Sequence, residues 1–222
     1  MGTYFPYIPL RLAFSQNRSK ILIFLDGKSM NIKINKIVNF LFEVGTLRKV
    51  ARAHRQILLT NDFTDNISSH SFRVVYIGYF LAKFEKSDSE KVVLMCLMHD
   101  LPEARSNDQN WVHKKYVKVF EEEIIKDQLA NVPEEKELIE LAREYAERKT
   151  KEARLTKDAD LIDQIMLLRE YEWVGNKEAE IWLEGKEQEK RLFIKSAKKL
   201  AKEIYTQKPG SWWNNIWTAK RR

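Results

Sequence analysis

From residue 35 onward the apolar side chains fall at three- and four-residue intervals, a period that commits the chain to packing helices against helices. Ile37, Phe40, Leu41, Val44 and Leu47 trace the first buried face. Breakers are scarce: seven Gly and five Pro in 222 residues, among segments rich in Leu, Ile, Lys and Glu. That composition favours helix throughout, and the length suits one substantial core with a peripheral extension. The expected fold is an all-α helical bundle over 35–206, preceded by a distinct segment 1–34 and followed by a Trp-rich basic tail, 207–222.

Local signals divide the bundle. Asn66 or Ser68 can cap a helix carrying Phe72, Val75, Ile77, Tyr79, Phe80 and Leu81, with His70 in its first turn. Ser87 or Asp88 can start the next, which runs through Val92, Val93, Met95 and Leu97. Pro102 lacks an N–H and disfavours helix at Leu101, so this helix ends or kinks there. Further helices are expected over 113–130, 134–149, 151–174 and 188–206, and Gly175-Asn176 separates a short amphipathic piece containing Ile181, Trp182 and Leu183. Upstream, in the extension 1–34, Ile21 to Leu25, Asp26-Gly27 and Met30 to Ile34 could form a two-stranded hairpin, with a flexible segment as the alternative and no chemistry assigned.

The net charge of +7 spreads 39 basic residues among 32 acidic ones, a pattern that a small anionic substrate explains as well as a nucleic acid does. The apolar stretch at 21–25 is too short for a membrane span or a secretory leader. The single cysteine, Cys96, lies inside an apolar run and suits a reducing, cytoplasmic setting.

The chemistry concentrates where that run ends. His99-Asp100 follows Leu94-Met95-Cys96-Leu97-Met98 directly. A carboxylate withdrawn from water costs several kcal/mol unless it gains a charged partner or a metal, and His70 upstream and Asp160 downstream could complete an N/O ligand set. The pair continues as His-Asp-Leu-Pro-Glu-Ala-Arg over 99–105, and the last acid lies in Lys157-Asp158-Ala159-Asp160-Leu161-Ile162-Asp163. In this order the chain resembles the HD-domain metal-dependent phosphohydrolases, in the branch of the 5'-deoxynucleotidases, over roughly residues 35 to 205.

The resemblance implies a metal shell of His70, His99, Asp100 and Asp160. Two imidazoles and two carboxylates suit a divalent Mn, Co, Fe, Ni, Zn or Mg ion. Among the neighbouring acids, Asp158 is expected to be exposed at a helix start, and Asp163, one turn beyond Asp160, to orient a ligating histidine. Glu103 matches the acid/base residue that helps activate water. Asp108 matches a further family position near the sugar and the attacking water. Arg52 matches the arginine that binds substrate phosphate, a task suited to a guanidinium fork. The family often has an aromatic residue soon after that arginine, whereas Ala53-His54-Arg55 follows here. His54 is read as a surface residue. Lys115, in the cluster His113-Lys114-Lys115-Tyr116, is a candidate for the phosphate entrance, set against an ordinary helix start.

The implied reaction is metal-assisted hydrolysis of nucleoside 5'-monophosphates, probed against two alternatives. One is cleavage of triphosphate from deoxynucleoside triphosphates, or of another small phosphate ester, by the same metal shell. The other is a noncatalytic nucleic-acid binder using the tail tryptophans to stack bases, against which the intact ligand set argues. The resemblance also implies a homodimer, for which the aromatic C-terminal region offers apolar surface.

Overall fold

The computed structural model describes residues 27–214 and Ile216, with side chains from residue 33 on. Twelve α-helices are present among them: α1 Gly27–Val44, α2 His54–Ile57, α3 Ile67–Phe84, α4 Ser89–Met98, α5 Glu103–Ser106, α6 Trp111–Tyr116, α7 Glu121–Leu129, α8 Glu135–Glu147, α9 Lys151–Trp173, α10 Lys177–Gly185, α11 Glu187–Lys190 and α12 Lys195–Thr206. Short 3-10 turns at Gly45–Lys49 and Pro209–Trp213 complete the regular structure. The all-α expectation holds. Extended pairing among the described residues is confined to one antiparallel bridge, Ala51 with Asn66.

Side-chain caps set the starts of the central helices. Asn66 accepts from Ser69 N while the Ser69 hydroxyl accepts from Asn66 N, a capping box that starts α3. Asp88 accepts from the Glu90 and Lys91 amides at the start of α4, and Thr150 accepts from the Ala153 amide at the start of α9. Gly175, at φ 93°, makes the left-handed turn that releases the chain from α9, and Asn176 caps α10.

Two apolar clusters meet across α4. Val92 and Cys96 face α3, α9, α10 and α12, among Leu81, Ile162, Ile165 and Leu168. Met95 and Met98 face the other way, toward α1, α7 and α8, with Ile125, Leu129 and Leu141. α3 crosses α4 at Gly78, where an added Cβ would lie 2.6 Å from Cys96 Sγ and 3.1 Å from Val92 Cγ1. Only glycine permits that approach, and it brings the helix carrying His70 against the helix that ends at His99.

Four expectations change. Residues 30–34 belong to α1 rather than to a strand, and the first half of the supposed hairpin lies outside the described residues. The 113–130 helix is two, α6 and α7, separated at Val117 by extended backbone (φ −119°, ψ 131°) where β-branched Val117 and Val119 fall close together. The 188–206 helix is likewise split between α11 and α12. Asp158 causes that break. It is fully buried rather than exposed, and its two oxygens accept the Phe193 and Ile194 amides at 2.9 and 2.8 Å. Because α9 begins at Lys151, Asp158 lies two turns inside the helix on the face toward α12.

Candidate metal centre

The four acid and imidazole candidates converge between the two cores. His70 stands in the first turn of α3, His99 and Asp100 follow α4, and Asp160 projects from the middle of α9. His70 Nε2 lies 3.2 Å from His99 Nε2, 3.3 Å from Asp100 Oδ2 and 3.5 Å from Asp160 Oδ1. His99 Nε2 lies 3.2 Å from Asp100 Oδ2. Ligands at about 2.1 Å from a shared ion stand about 3.0–3.4 Å apart, so His70, His99 and Asp100 have ligand spacing and Asp160 borders it.

The other imidazole nitrogens fix the tautomers. His70 Nδ1 donates to Asp163 Oδ2 at 2.6 Å and His99 Nδ1 to the Cys96 carbonyl at 2.7 Å. Both Nε2 atoms then present lone pairs, pointed at each other and at two carboxylates. That arrangement is repulsive unless a cation fills it, either a proton on His70 Nε2 shared with Asp100 or a metal that replaces it, so the donor set fits a divalent metal. Asp163 itself is held by Arg73 Nε at 2.5 Å, and it orients His70 as the spacing suggested. Burial and Arg52 press His70 toward neutrality, yet the Asp100 and Asp163 carboxylates outweigh them and raise it to about 9. Asp160 is held well below the carboxylate range: burial opposes this, but Lys157, 2.6 Å away, and His70 prevail.

Around these donors opens a cavity of about 550 Å³, lined by Arg52, Glu103, Asp108, Lys115, Arg148 and Trp111 among others. Its far wall is irregular backbone. Arg52 follows the single bridge, its amide donating to Asp65 O at 3.0 Å. The next residue is clamped from both sides: Ala53 N donates to Asp108 Oδ2 at 2.7 Å, and Asn110 Nδ2 donates to Ala53 O at 3.0 Å. Asp108 also pairs with Arg52 Nε at 3.3 Å, and both side chains are buried. Asn107, at φ 58°, supplies the reversal that aims Asp108 inward. Asp108 thus braces the arginine and its loop as well as lining the cavity.

Glu103 opens α5 directly after Pro102, and its Oε2 is buried without a protein partner. Burial, then Asp100 and Asp108, push this carboxyl up to about 10. Lys114 and Lys115 both line the cavity, while His113 closes the α6 capping box on Asn110. The surface reading of His54 is overturned. It is buried, its Nε2 accepts from Gln164 Nε2 at 3.1 Å, and burial followed by Arg52 lowers it to about 4. The clamp on Ala53 turns α2 inward, and buried Leu58 one turn later was the available signal. Sequence reasoning also missed Arg148 and Trp111, which carry no motif.

The HD domain family matches residues 44–201. The 5'-deoxynucleotidase HDDC2 of Dictyostelium discoideum is 30% identical over 124 residues, covering 50% of this chain and 65% of that protein, slightly under two thirds of its length. The mouse protein of the same name is 27% identical over 149 residues, covering 64% of this chain and 72% of its own. A solved structure from Pyrococcus horikoshii superposes with a TM-score of 0.65 at 30% identity, over 75% of this chain and 97% of that one. The chain belongs to the HD domain family.

Proposed function

We propose that the protein is a metal-dependent phosphohydrolase that converts nucleoside 5'-monophosphates, deoxyribonucleotides foremost, to nucleoside and phosphate. The observation that carries this reading is the convergence of His70, His99, Asp100 and Asp160 on a cavity that also presents Arg52 and Glu103. A divalent cation on that donor set would supply Lewis acidity toward the phosphoryl group. The names of the relatives supply the substrate class.

Arg52 binds the phosphoryl oxygens and offsets the charge that grows as the ester bond breaks. Its pairing with Asp108 keeps the guanidinium in place before substrate arrives. With a divalent cation on the donor set to offset the burial and the Asp100 and Asp108 charges that raise the Glu103 carboxyl, Glu103 Oε2, free of protein partners, would then take a proton from the attacking water. The water oxygen bonds to phosphorus, the P–O5' bond breaks, and the 5' oxygen leaves with a proton. Lys115 steers the anion at the entrance. The further cations Lys114, Arg148 and Arg191 on the same cavity favour a second reading, in which longer phosphate chains are accepted.

One screen tests both: phosphate and triphosphate release from nucleoside mono-, di- and triphosphates, after chelation and on adding back single divalent metals. Phosphate from monophosphates that disappears on chelation and returns with metal is expected. Full activity in metal-free protein, or no release from any nucleotide, would overturn the proposal.

In this reading the enzyme works as a homodimer in a reducing cytoplasm. Phe72, Tyr76, Phe80 and Phe84 recur every four residues on α3 and stand exposed, an apolar stripe suited to a second copy. Cys96 is buried as a thiol, and no described helix is long and apolar enough to cross a membrane.

A further inference from the structure

Beside the catalytic cavity lies a second hollow of a different character. Its volume is about 340 Å³, and its walls include Ile57, Trp111, Ile181, Trp182, Glu187 and the buried Gln188. Trp111 belongs to both hollows, so the apolar one opens next to the phosphate site. The Trp111 and Trp182 rings stand 6.5 Å apart at 43°, forming an aromatic corner, and the edge of His54 meets Trp182 at 5.8 Å. At the margin Arg191 lies 6.0 Å from the Trp111 ring.

The polar side chains of the hollow are Glu187, which accepts from Lys190 Nζ at 2.7 Å, and Gln188. Gln188 is 2% exposed, and its Oε1 has no hydrogen-bond partner. An unpaired buried amide oxygen is a standing penalty that a ligand N–H removes. Flat aromatic walls with one unsatisfied acceptor, within the 300–1,000 Å³ range typical of small-ligand sites at about 340 Å³, match a planar heterocycle with N–H groups on its edge. A purely aliphatic ligand would leave Gln188 unpaired.

We propose that this hollow is the nucleobase subsite: the base stacks on Trp111, and a rotation of the Gln188 amide brings its buried Oε1 to the hollow, where it accepts from an N–H on the base edge. The proposal rests on the nucleotide phosphohydrolase reading and adds base selection to it. Aromatic surface that does not follow Arg52 in sequence is delivered by α6 and α10 instead. Selection among bases then follows stacking strength and the fit of the N–H to Gln188, independently of the groups that hold phosphate.

The test compares kcat/KM for the four deoxynucleoside 5'-monophosphates with that for deoxyribose 5-phosphate, using metal-reconstituted full chain. The nucleotides are expected to be preferred at least about tenfold, the size of one base stacked on an aromatic ring. Trp111→Ala should collapse that ratio and flatten the ranking among bases, whereas Trp111→Phe should keep most of it. Trp111 is 52% exposed, so neither variant threatens the core. An unchanged ratio in Trp111→Ala, or no preference in the unaltered protein, would overturn the subsite. If neither substrate class is hydrolysed, the phosphohydrolase reading fails, and equilibrium dialysis with deoxynucleosides judges the hollow alone. Binding lost in Trp111→Ala would then support the subsite, and no binding would overturn it.

Discussion

The two walls of the catalytic cavity are built by different physics. On one side, α3, α4 and α9 are long capped helices pressed together at Gly78, and they deliver His70, His99, Asp100 and Asp160. On the other, Arg52, Glu103, Asp108 and Trp111 sit on single turns and irregular backbone. These are held by side-chain clamps such as Asp108 to Ala53 N and Asn110 to Ala53 O. Metal capture needs donor atoms fixed to a few tenths of an ångström, which packed helices provide. Substrate contact needs reach and variation, which loops provide.

The sharpest way to break that comparison is within the helical wall itself. Asp160→Ala is expected to lose bound metal and at least about a thousandfold in kcat/KM, or about 4 kcal/mol of transition-state stabilisation. Asp158→Ala, two residues away, strips the Phe193 and Ile194 amides of their acceptor and costs about 2–4 kcal/mol of stability. The fraction that folds should keep its metal. Metal analysis together with urea denaturation separates the two, and equal metal loss in both variants would erase the division of labour along α9.

In the irregular wall, Arg52→Ala should keep metal while kcat/KM falls roughly a hundredfold, about 3 kcal/mol of lost charge stabilisation. Arg52→Lys should recover only part, because a point charge cannot replace a fork. Steady-state kinetics alongside metal content decides this. Metal loss in Arg52→Ala would mean that the loop wall also shapes the ligand set.

This division explains what could be read in advance. His99-Asp100 at the end of an apolar run, the Asn66 cap before His70, and Asp163 one turn after Asp160 are local patterns, and local patterns survive folding. Asp158 and His54 were misplaced because their partners, the Phe193 and Ile194 amides and Gln164, lie 35 to 110 residues away. Nothing near Asp158 in sequence says that a helix start elsewhere needs an acceptor. The α6–α7 and α11–α12 breaks were missed for the same reason, since helical periodicity continues across a gap that tertiary contacts impose. Trp111 and Arg148 belong to no motif, and only the fold brings them to the cavity.

A milder perturbation probes the helical wall without touching a ligand. Gly78→Ala forces a Cβ into Cys96 Sγ and Val92 Cγ1, and overpacking of this kind costs about 1–3 kcal/mol. Because the Cys96 carbonyl holds His99, metal affinity should weaken along with stability. Thermal melts and metal titrations check both, and a melt unchanged in Gly78→Ala would show that α3 and α4 can part freely.

The smallest effect lies at the tie between the two walls. Glu43 on α1 accepts from Arg105 Nε at 2.6 Å and Nη2 at 3.0 Å, and from Gln128 Nε2 at 2.8 Å, so it fastens α5, which opens with Glu103, to the regular helices. The Arg105 hydrogen bond leads in holding its carboxyl below the usual value of 4.5, burial opposes, and Gln128 assists. A lowered folded pKa means stability that is present above pH 4.5 and lost as pH falls through the folded value. Arg105 is 39% exposed, so solvent limits the pair to under about 1 kcal/mol. Glu43→Gln should therefore melt slightly earlier than the parent protein at pH 7, and the difference should shrink as both are acidified below pH 4. A gap that widens in acid would place the stabilisation elsewhere. A raised KM with unchanged metal affinity is expected to accompany the loss at pH 7, because the variant loosens only the wall that meets substrate.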